Sequence, residues 1–366
     1  MPRIIAYNKL NASTIDILNV IRANAGMEYQ NLVPVVDSVE GIPAVGDIIY
    51  GYPAIANQFL NALMNRIALV IVRSANFYNP FKELKKGTLA FGETIEEVFV
   101  EIAKAREFSV EKAEAREFKR VLPIVKAAFH VINWDVQYPL TVQNDDLRRA
   151  FTSENGLTDM IARIVDSIYR AVEYDEYLLF KYLLIKGVAN NEIKVETIQN
   201  VTSDADKNAA IEFRSLSNRL TFMSTEYNAS HVHNATPRGD QFIFMDASYN
   251  AQFDVNVLAS AFNMEKADFM GRLILVDNFT SFDNERFDVI AGASSMISAV
   301  TDAELTAMAG IKAIVVDREY FQFYQNLEKF TEKFVASGDY WNYFYRDVKT
   351  ISTSPFSNAV AVQEGV

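Results

Sequence analysis

The stretch from residue 79 to 109, NPFKELKKGTLAFGETIEEVFVEIAKAREFS, constrains the fold most, because such a stretch is not typical of a compact domain. It begins with Asn79-Pro80, a dipeptide that favours an extended or turning backbone. Residues 94–102 are rich in the β-branched and aromatic types that are typical of strands. We therefore predict two extended arms joined around Gly87 to Gly92. A long hairpin with few apolar residues on one face is not stable alone, so it needs another surface to lie on.

The charges of this stretch are separated between the two predicted arms. The basic residues are Lys82, Lys85 and Lys86, and the acidic residues are Glu93, Glu96, Glu97 and Glu101. If one copy presents its acidic arm to the basic arm of another, the copies join head to tail, and such heterologous contacts generate rings and shells. We therefore predict that these seven residues form an intersubunit contact; the alternative is a solvated face, the usual fate of a charge run. The candidate hinges are Gly41, Gly46, Gly51, Gly87 and Gly92.

A long helix and a long strand are the strongest regular patterns. After Asn155-Gly156, apolar residues recur with a period of 3.6 over about eight turns, and the pattern ends at Gly187. At roughly 1.5 Å per residue such a helix is about 45 Å long, which makes it a spine for other elements. Residues 340–353 alternate as a strand far longer than the usual five or six residues. We expect this strand to run beside the spine helix and to return to the first half of the chain.

The remaining patterns are shorter. Before the long hairpin, the chain contains one helical stripe at 15–21, then an arm over 34–53 rich in proline and glycine, then a helix over 55–66 and a buried strand over 68–73. A flexible tail is the alternative for the arm. Residues 188–339 read as a mixed α/β unit, with strands at 242–245, 273–277, 313–317 and 321–324 and helices at 255–262, 266–270 and 301–308.

Charge and cysteine content exclude several classes of protein. Acidic residues outnumber basic ones 47 to 35, and the net charge of −12 argues against tight nucleic-acid binding and against an anionic membrane surface. A protein shell with a negatively charged wall can still enclose nucleic acid. Repulsion between like charges then keeps the nucleic acid from adhering to the wall. The chain has no cysteine, so it has no disulfide framework and no thiolate site, and a reducing cytoplasm is the simplest compartment. We find neither a secretory signal nor an apolar run long enough to span a membrane.

No catalytic or metal-binding constellation is visible. The glycines at 87 and 92 have the spacing of a phosphate loop, but Glu93 stands where the phosphate-binding lysine belongs. His231 and His233 lack the further ligands that a metal site needs, and His130 lies among apolar residues as a satisfied core or interface group. A nucleophile elbow is also missing. We therefore predict no enzyme activity, no cofactor and no metal.

Segments spread over most of the chain match one known family in order. They are NPFKELKKG and GETIEEVF within 79–99, AEAREFKRVLPIVKAAFH at 113–130, YDEY at 174–177, FDVNVLASAFNMEKADFMG at 253–271, IVVDREYFQFYQNLEKF at 314–330 and YWNYFYRDVKTISTSPFSNAVAV at 340–362. With these segments the chain resembles the major capsid protein of small, short-tailed, protein-primed phages, the salasmavirus-type podoviruses.

This resemblance implies an α+β Hong Kong 97-like capsid fold. Its expected parts are an N-terminal arm (1–56), the start of a peripheral domain (57–76), an extended loop (77–110), the peripheral domain with the spine helix (111–189), an axial α/β domain (190–339) and a return strand of the peripheral domain (340–366).

The resemblance also implies hexamers and pentamers in a noncovalent icosahedral or prolate shell. The implied partners are a scaffolding protein, a portal protein and packaged double-stranded DNA bound without sequence specificity; a membrane is not among them. The implied location is the virion, with assembly in the host cytoplasm. Two alternatives stay open: the shell of a cellular encapsulating compartment that encloses cargo enzymes, and a soluble metabolic enzyme that forms a small closed oligomer.

Overall fold

The computed structural model describes residues 14–52, 54–56, 58–59, 62, 79–90, 92–143, 156–198, 206–253, 273–291 and 296–365. The described residues form two compact units. The first takes its residues from 1–78, 136–174 and 328–347, and the second takes them from 79–135, 175–327 and 348–366. Neither unit is a continuous stretch of sequence, because the chain passes between them several times.

The first unit buries its apolar residues on short helices and long strands. Its helices include α1 (Thr14–Asn24), α2 (Met27–Leu32) and α3 (Gly41–Gly51). In α1 the buried residues Ile17, Leu18 and Ile21 have the spacing of one helix face, as the sequence predicts. The core of this unit includes Ile17, Tyr29, Ile42, Val45, Ile49, Trp341, Tyr343 and Tyr345.

Residues 41–51 of the predicted arm form helix α3, which the proline and glycine pattern does not indicate. Pro43 lies in the first helical turn, where the missing N–H has no intrahelical partner to lose. Ile42, Val45 and Ile49 are at most 2% exposed. Burying each of them stabilises the helix by about 1.5–3 kcal/mol, which outweighs a cost of about 1 kcal/mol for each glycine.

The predicted spine helix is confirmed as α5 (Gly156–Ala189), which has 34 residues and is therefore about 51 Å long. The sequence predicts that this helix ends at Gly187, but the helix continues for two more residues. Asn191 has a positive φ of 59°, and the N–H groups of Glu192 and Ile193 both donate to the Gly187 carbonyl. Asn191 therefore provides the left-handed residue that ends the helix.

Gly187 is retained inside the helix because a larger residue does not fit. A Cβ atom there would lie 2.7 Å from Ile193 Cδ1 and 2.8 Å from the Tyr320 hydroxyl. We expect Gly187→Ala to destabilise the subunit by about 1–2 kcal/mol, because overpacking exceeds the gain in helix propensity. Urea unfolding of the unassembled subunit measures this change. The control is Gly51→Ala, where nothing lies within 4 Å of the added atom. Equal stabilities of the two variants would contradict the packing argument.

A four-stranded sheet contains the predicted long strand. Its order is β1 (Gly87–Thr88), β9 (Phe321–Val335), β10 (Tyr340–Thr353) and β4 (Ile132–Gln143). Strand β10 covers the predicted range and pairs with β4, so its return to the first half of the chain is confirmed. Pro139 is tolerated because β4 is an edge strand. Strand β9 is much longer than the predicted 321–324. The sequence did not indicate its second half, because those residues are largely polar and exposed and lack a strand-like apolar pattern.

A five-stranded sheet lies in the second unit. Its order is β5 (Lys194–Ile198), β11 (Ala359–Glu364), β8 (Ile311–Asp317), β6 (Gln241–Asp246) and β7 (Leu273–Val276). The described helices of this unit include α6 (Asp206–Arg219), α7 (Ala247–Phe253), α8 (Asn284–Ala291) and α9 (Asp302–Ala307). The predicted strands at 242–245, 273–277 and 313–317 and the helix at 301–308 are confirmed. Phe213 and Leu216 of α6 belong to the same buried cluster as Met245 and Val315 of the sheet.

The segment 340–366 is two strands in two sheets rather than one return strand. Strand β11 pairs with β8 and β5, and Ala359–Val362 are at most 1% exposed. The predictions at 68–73, 255–262 and 266–270 lie outside the described residues. Of the helices that the structure describes, none combines the length and the hydropathy needed to cross a membrane.

Candidate subunit interface

The long hairpin is formed by different residues from those that the charge pattern predicts. Strand β2 (Ile95–Val100) pairs antiparallel with β3 (Val125–His130), from Ile95 opposite His130 to Val100 opposite Val125. The intervening residues 101–124 form a tip that contains the short helix α4 (Ala113–Glu117). The hairpin therefore joins 95–100 to 125–130, and the prediction of two arms joined around Gly87 to Gly92 within one chain is wrong.

The basic segment lies elsewhere because it pairs with another strand. Lys82–Leu84 form a turn of 3-10 helix, and Gly87 and Thr88 pair in parallel with Tyr324 and Gln325 of β9. Gly87 has a φ of 128° and Gly92 a φ of 88°, conformations that favour glycine. These two glycines turn the chain between the basic segment and β2.

One face of the hairpin contacts the rest of its own unit. The Ser354 hydroxyl donates to Glu97 Oε1 at 2.7 Å, and the other oxygen of Glu97 lies 3.2 Å from Nε2 of His130. His130 is buried, and its Nδ1 lies 2.6 Å from the Ser352 hydroxyl, so the prediction of a satisfied core histidine is confirmed. The Phe99 ring stacks on Phe356 with centroids 5.5 Å apart. Glu97 is therefore engaged inside the subunit.

The predicted lysines also contact their own unit. Lys85 Nζ lies 2.6 Å from Oε1 of Glu176 on the spine helix, and Lys349 Nζ lies 3.1 Å from the same oxygen. Burial by itself would raise the pKa of Glu176, but the two ammonium groups outweigh it and hold that pKa below its usual range. Lys86 pairs with Glu319. The group Lys85–Glu176–Lys349, called the ion triad below, thus attaches the basic segment to α5 and β10.

The remaining predicted residues are Glu101, Glu93, Lys82 and Glu96. Glu101 accepts a hydrogen bond from Nδ1 of His233 at 2.9 Å, and this bond lowers the pKa of the carboxyl group. Glu93 accepts the Ala90 N–H at 3.1 Å, which closes the turn at Gly92. The side chains of Lys82 and Glu96 are exposed. His233 thus has a protein partner, and the described residues contain no group of acidic and histidine side chains that could hold a metal ion.

The opposite face of the hairpin is apolar and exposed, a feature that the charge pattern concealed. Val98, Val100, Val125 and Phe129 alternate with the inward residues and are all more than half exposed. The tip also carries exposed apolar side chains, of which the most exposed are Phe108 (90%), Val110 (75%), Phe118 (90%), Val121 (71%) and Leu122 (78%). Several exposed large apolar side chains on one segment are typical of an interaction site. The sequence signal for it is the apolar run VLPIV beside FKR at 118–125.

The hairpin also differs from the rest of the chain in charge. Residues 95–130 hold seven basic and seven acidic side chains, a net charge of zero, so the rest of the chain carries the whole net charge of −12. The basic residues are Lys104, Arg106, Lys112, Arg116, Lys119, Arg120 and Lys126. A hairpin without net charge is repelled by another copy of this acidic molecule less than the rest of the chain is.

Comparisons with known proteins agree with this architecture. The sequence profile of a family described as Phi29-like phage major capsid protein matches residues 18–363. The major capsid protein of Bacillus phage B103 is 34% identical over 354 residues, which cover 96% of this chain and 73% of that protein. The major capsid protein of Bacillus phage PZA is 32% identical over 372 positions, which cover 99% of this chain and 76% of that protein.

Solved phage structures show the same fold. A chain in the capsid structure of Staphylococcus phage Andhra superposes with a TM-score of 0.58 at 14% identity, over 81% of this chain and 89% of that chain. A chain in the structure of the head fiber and inner core protein of native bacteriophage P68 superposes with a TM-score of 0.60 at 15% identity, over 80% of this chain and 88% of that chain. The predicted α+β Hong Kong 97-like fold is therefore confirmed.

Proposed function

Because this chain belongs to the Phi29-like phage major capsid protein family, we propose that its exposed hairpin joins copies of it into the shell of a phage head. The chain is a structural protein of phage virions that assembles with copies of itself. The matched relatives are phage capsid proteins, so the comparisons do not favour the alternative function as the shell of a cellular encapsulating compartment. We propose no catalytic role for it.

The apolar outer face and tip of the hairpin are the observation that carries this proposal. Phe108 and Phe118 are each 90% exposed, so they contribute little to the stability of their own subunit. Burial of such a side chain against a neighbour is worth about 1.5–3 kcal/mol. We assign the exposed residues Lys82 and Glu96 to the rim of the interface, where an exposed ion pair contributes about 0–1 kcal/mol. The main contact is therefore apolar.

The larger assembly follows from the same contact. The apolar tip and the surface that receives it are different parts of the subunit, which is the arrangement that generates rings. We propose hexamers and pentamers in which the axial residues 190–339 gather at the centres, and in which Gly87 and Gly92 act as hinges for the hairpin. A scaffolding protein, a portal protein and enclosed double-stranded DNA are the proposed partners. The net charge of −12 favours a wall that does not adhere to DNA.

Electron microscopy of negatively stained samples tests the proposed function. The chain is expressed alone and together with a scaffolding protein from a related phage. Hollow shells, or sheets and tubes of hexamers, are the expected result, and a difference between the two samples shows whether a scaffold is required. Small closed oligomers in both samples would contradict the proposal.

Trypsin should distinguish free from assembled subunits. Lys104, Arg106, Lys119 and Arg120 are exposed on the tip, so we expect rapid cleavage between 104 and 120 in the free subunit. In shells the neighbouring subunit covers these bonds, and we expect cleavage at least tenfold slower. Fragment masses after timed digestion measure the rates, and shells dissociated before digestion are the control. Equal rates in shells and in free subunits would show that the tip stays exposed.

A further inference from the structure

A cleft lies in the second unit beside the base of the hairpin. The 3-10 turn and β2 form one side of it, and loops at 234–240, 317–319 and 356–357 form the other. Its volume of about 590 Å³ is in the range of sites that bind a small ligand, so it has room for some of the side chains of a short peptide segment. Apolar side chains contribute part of its wall, namely Leu84, Phe99, Ala235, Pro237 and Phe356.

Carboxylates are crowded at this cleft. Burial raises the pKa of Asp317, and the neighbouring carboxylates of Asp240 and Glu319 raise it further. Glu83 and Glu97 line the same cleft. Among the lining cations, Lys85 is directed to Glu176 outside the lining and Lys86 to Glu319, while Arg318 is exposed. The cleft therefore combines apolar walls with an excess of negative charge, and a positively charged side chain that enters it would relieve the repulsion.

The tip of the hairpin carries a segment with the complementary character. Residues 118–122 read Phe-Lys-Arg-Val-Leu, and every one of them is exposed. In this segment two basic side chains are flanked by apolar ones. The cleft has the complementary arrangement, with acidic groups between apolar side chains. We infer that the cleft of one subunit receives residues 118–122 from the tip of a neighbouring copy. This inference rests on the proposed function of the hairpin and names the surface that receives it.

In this arrangement Lys119 and Arg120 face the carboxylates of Asp240 and Glu83, and the apolar residues of the segment cover Phe99 and the exposed Pro237. The tip and the cleft are different surfaces of the same chain, so each copy donates one segment and receives one. That relation is heterologous and closes into rings. The cleft also adjoins the base of the receiving subunit's own hairpin, so occupying it connects successive hairpins around a ring.

Cysteine cross-linking tests the inference directly, because the chain has no cysteine of its own. Val121→Cys and Ala235→Cys are made in separate chains, mixed, assembled with the scaffold and oxidised. A disulfide needs Cα atoms about 4.4–6.8 Å apart, so a covalent dimer on a non-reducing gel is expected from the mixture and from neither variant alone. The matched control mixes Val289→Cys with Ala235→Cys, since Val289 is 78% exposed but lies on α8. No dimer is expected there.

The outcomes separate this inference from the proposed function. Normal shells without the dimer would overturn the cleft as the receiving surface and leave the hairpin contact standing. A cross-link from Ala235→Cys to a different co-expressed protein would also overturn it. Shells of normal yield after the apolar tip residues are replaced by serine would instead overturn the hairpin contact on which this inference rests.

Charge reversal provides a second measurement. Arg120→Glu should lower shell yield by roughly tenfold, the loss expected when a paired charge meets its own sign. Adding Asp240→Lys in the same chain should restore the yield, because every tip then meets a reversed cleft. The control Lys112→Glu, in the tip but outside 118–122, should assemble normally. Failure of Asp240→Lys to restore the yield would overturn the pairing of Arg120 with this cleft.

Discussion

Replacing Phe108, Phe118 and Leu122 together by serine is expected to prevent shell assembly while the subunit stays folded. Their exposed fractions of 90%, 90% and 78% mean that they make few contacts in their own chain. If each contributes about 1.5–3 kcal/mol when a neighbour covers it, the triple change removes roughly 5–9 kcal/mol from every contact. Each 1.4 kcal/mol is a tenfold change in affinity, so association weakens by at least a factor of about a thousand.

Sedimentation and electron microscopy measure the shells, and thermal unfolding of the free subunit measures its stability. The matched control replaces Glu107, Lys112 and Glu114 by serine in the same tip. Glu107 and Lys112 form an exposed ion pair at 3.5 Å, which contributes little, so the control should assemble. Shells of normal yield from the apolar variant would refute the hairpin as the main intersubunit contact.

The second large effect is expected at the ion triad. Glu176→Gln should destabilise the subunit by about 3–5 kcal/mol, because the change leaves buried ammonium charge without its carboxylate. Glu176 is 4% exposed and Lys349 is 1% exposed, so water cannot take the place of the lost carboxylate. Urea unfolding of the unassembled subunit checks this value. The matched control on the same helix is Asp166→Asn, which removes an exposed pair with Arg170 worth about 0.3–0.5 kcal/mol.

The triad also determines how stability depends on pH. Lys349 and Lys85 hold the pKa of Glu176 below its unfolded value of about 4.3. A group with a lowered folded pKa contributes stability above its unfolded pKa and loses it as pH falls through the folded pKa. We therefore expect the stability difference between wild type and Glu176→Gln to be largest near neutral pH and to shrink below about pH 4. A difference that is independent of pH over this range would exclude the carboxylate as its source.

The triad determines which of the predicted contact residues Lys82, Lys85 and Lys86 suits a test by charge reversal. Lys85→Glu would place a carboxylate beside buried Glu176, so a loss of shells could follow from an unstable subunit rather than from a broken interface. Lys82 is exposed and suits an interface test better, provided that the free subunit keeps its unfolding midpoint.

Local patterns in the sequence were sufficient for the long elements. The spine helix and strand β10 were predicted within a few residues, because burial on one face repeats along the whole element with its own period. The strands at 242–245, 273–277 and 313–317 were predictable for a related reason, because each of them is a short apolar run followed or ended by an aspartate. Strand β11 and helix α3 were missed, because a run of four small apolar residues and a stretch rich in glycine carry little local signal.

The resemblance to phage capsid proteins, carried by segments spread along the chain, determined the family and the fold. The partners of the charged residues were decided only by the tertiary structure. Lys85 meets Glu176, which is 91 residues away, and Glu97 meets Ser354, which is 257 residues away. Ion pairs and hydrogen bonds require only that two groups lie close in space, so the spacing of residues along the sequence does not predict them. The sequence alone therefore predicted an intersubunit contact in the segment 79–109, and only the fold showed that several of its charged residues pair within their own subunit while the apolar face of the hairpin is exposed.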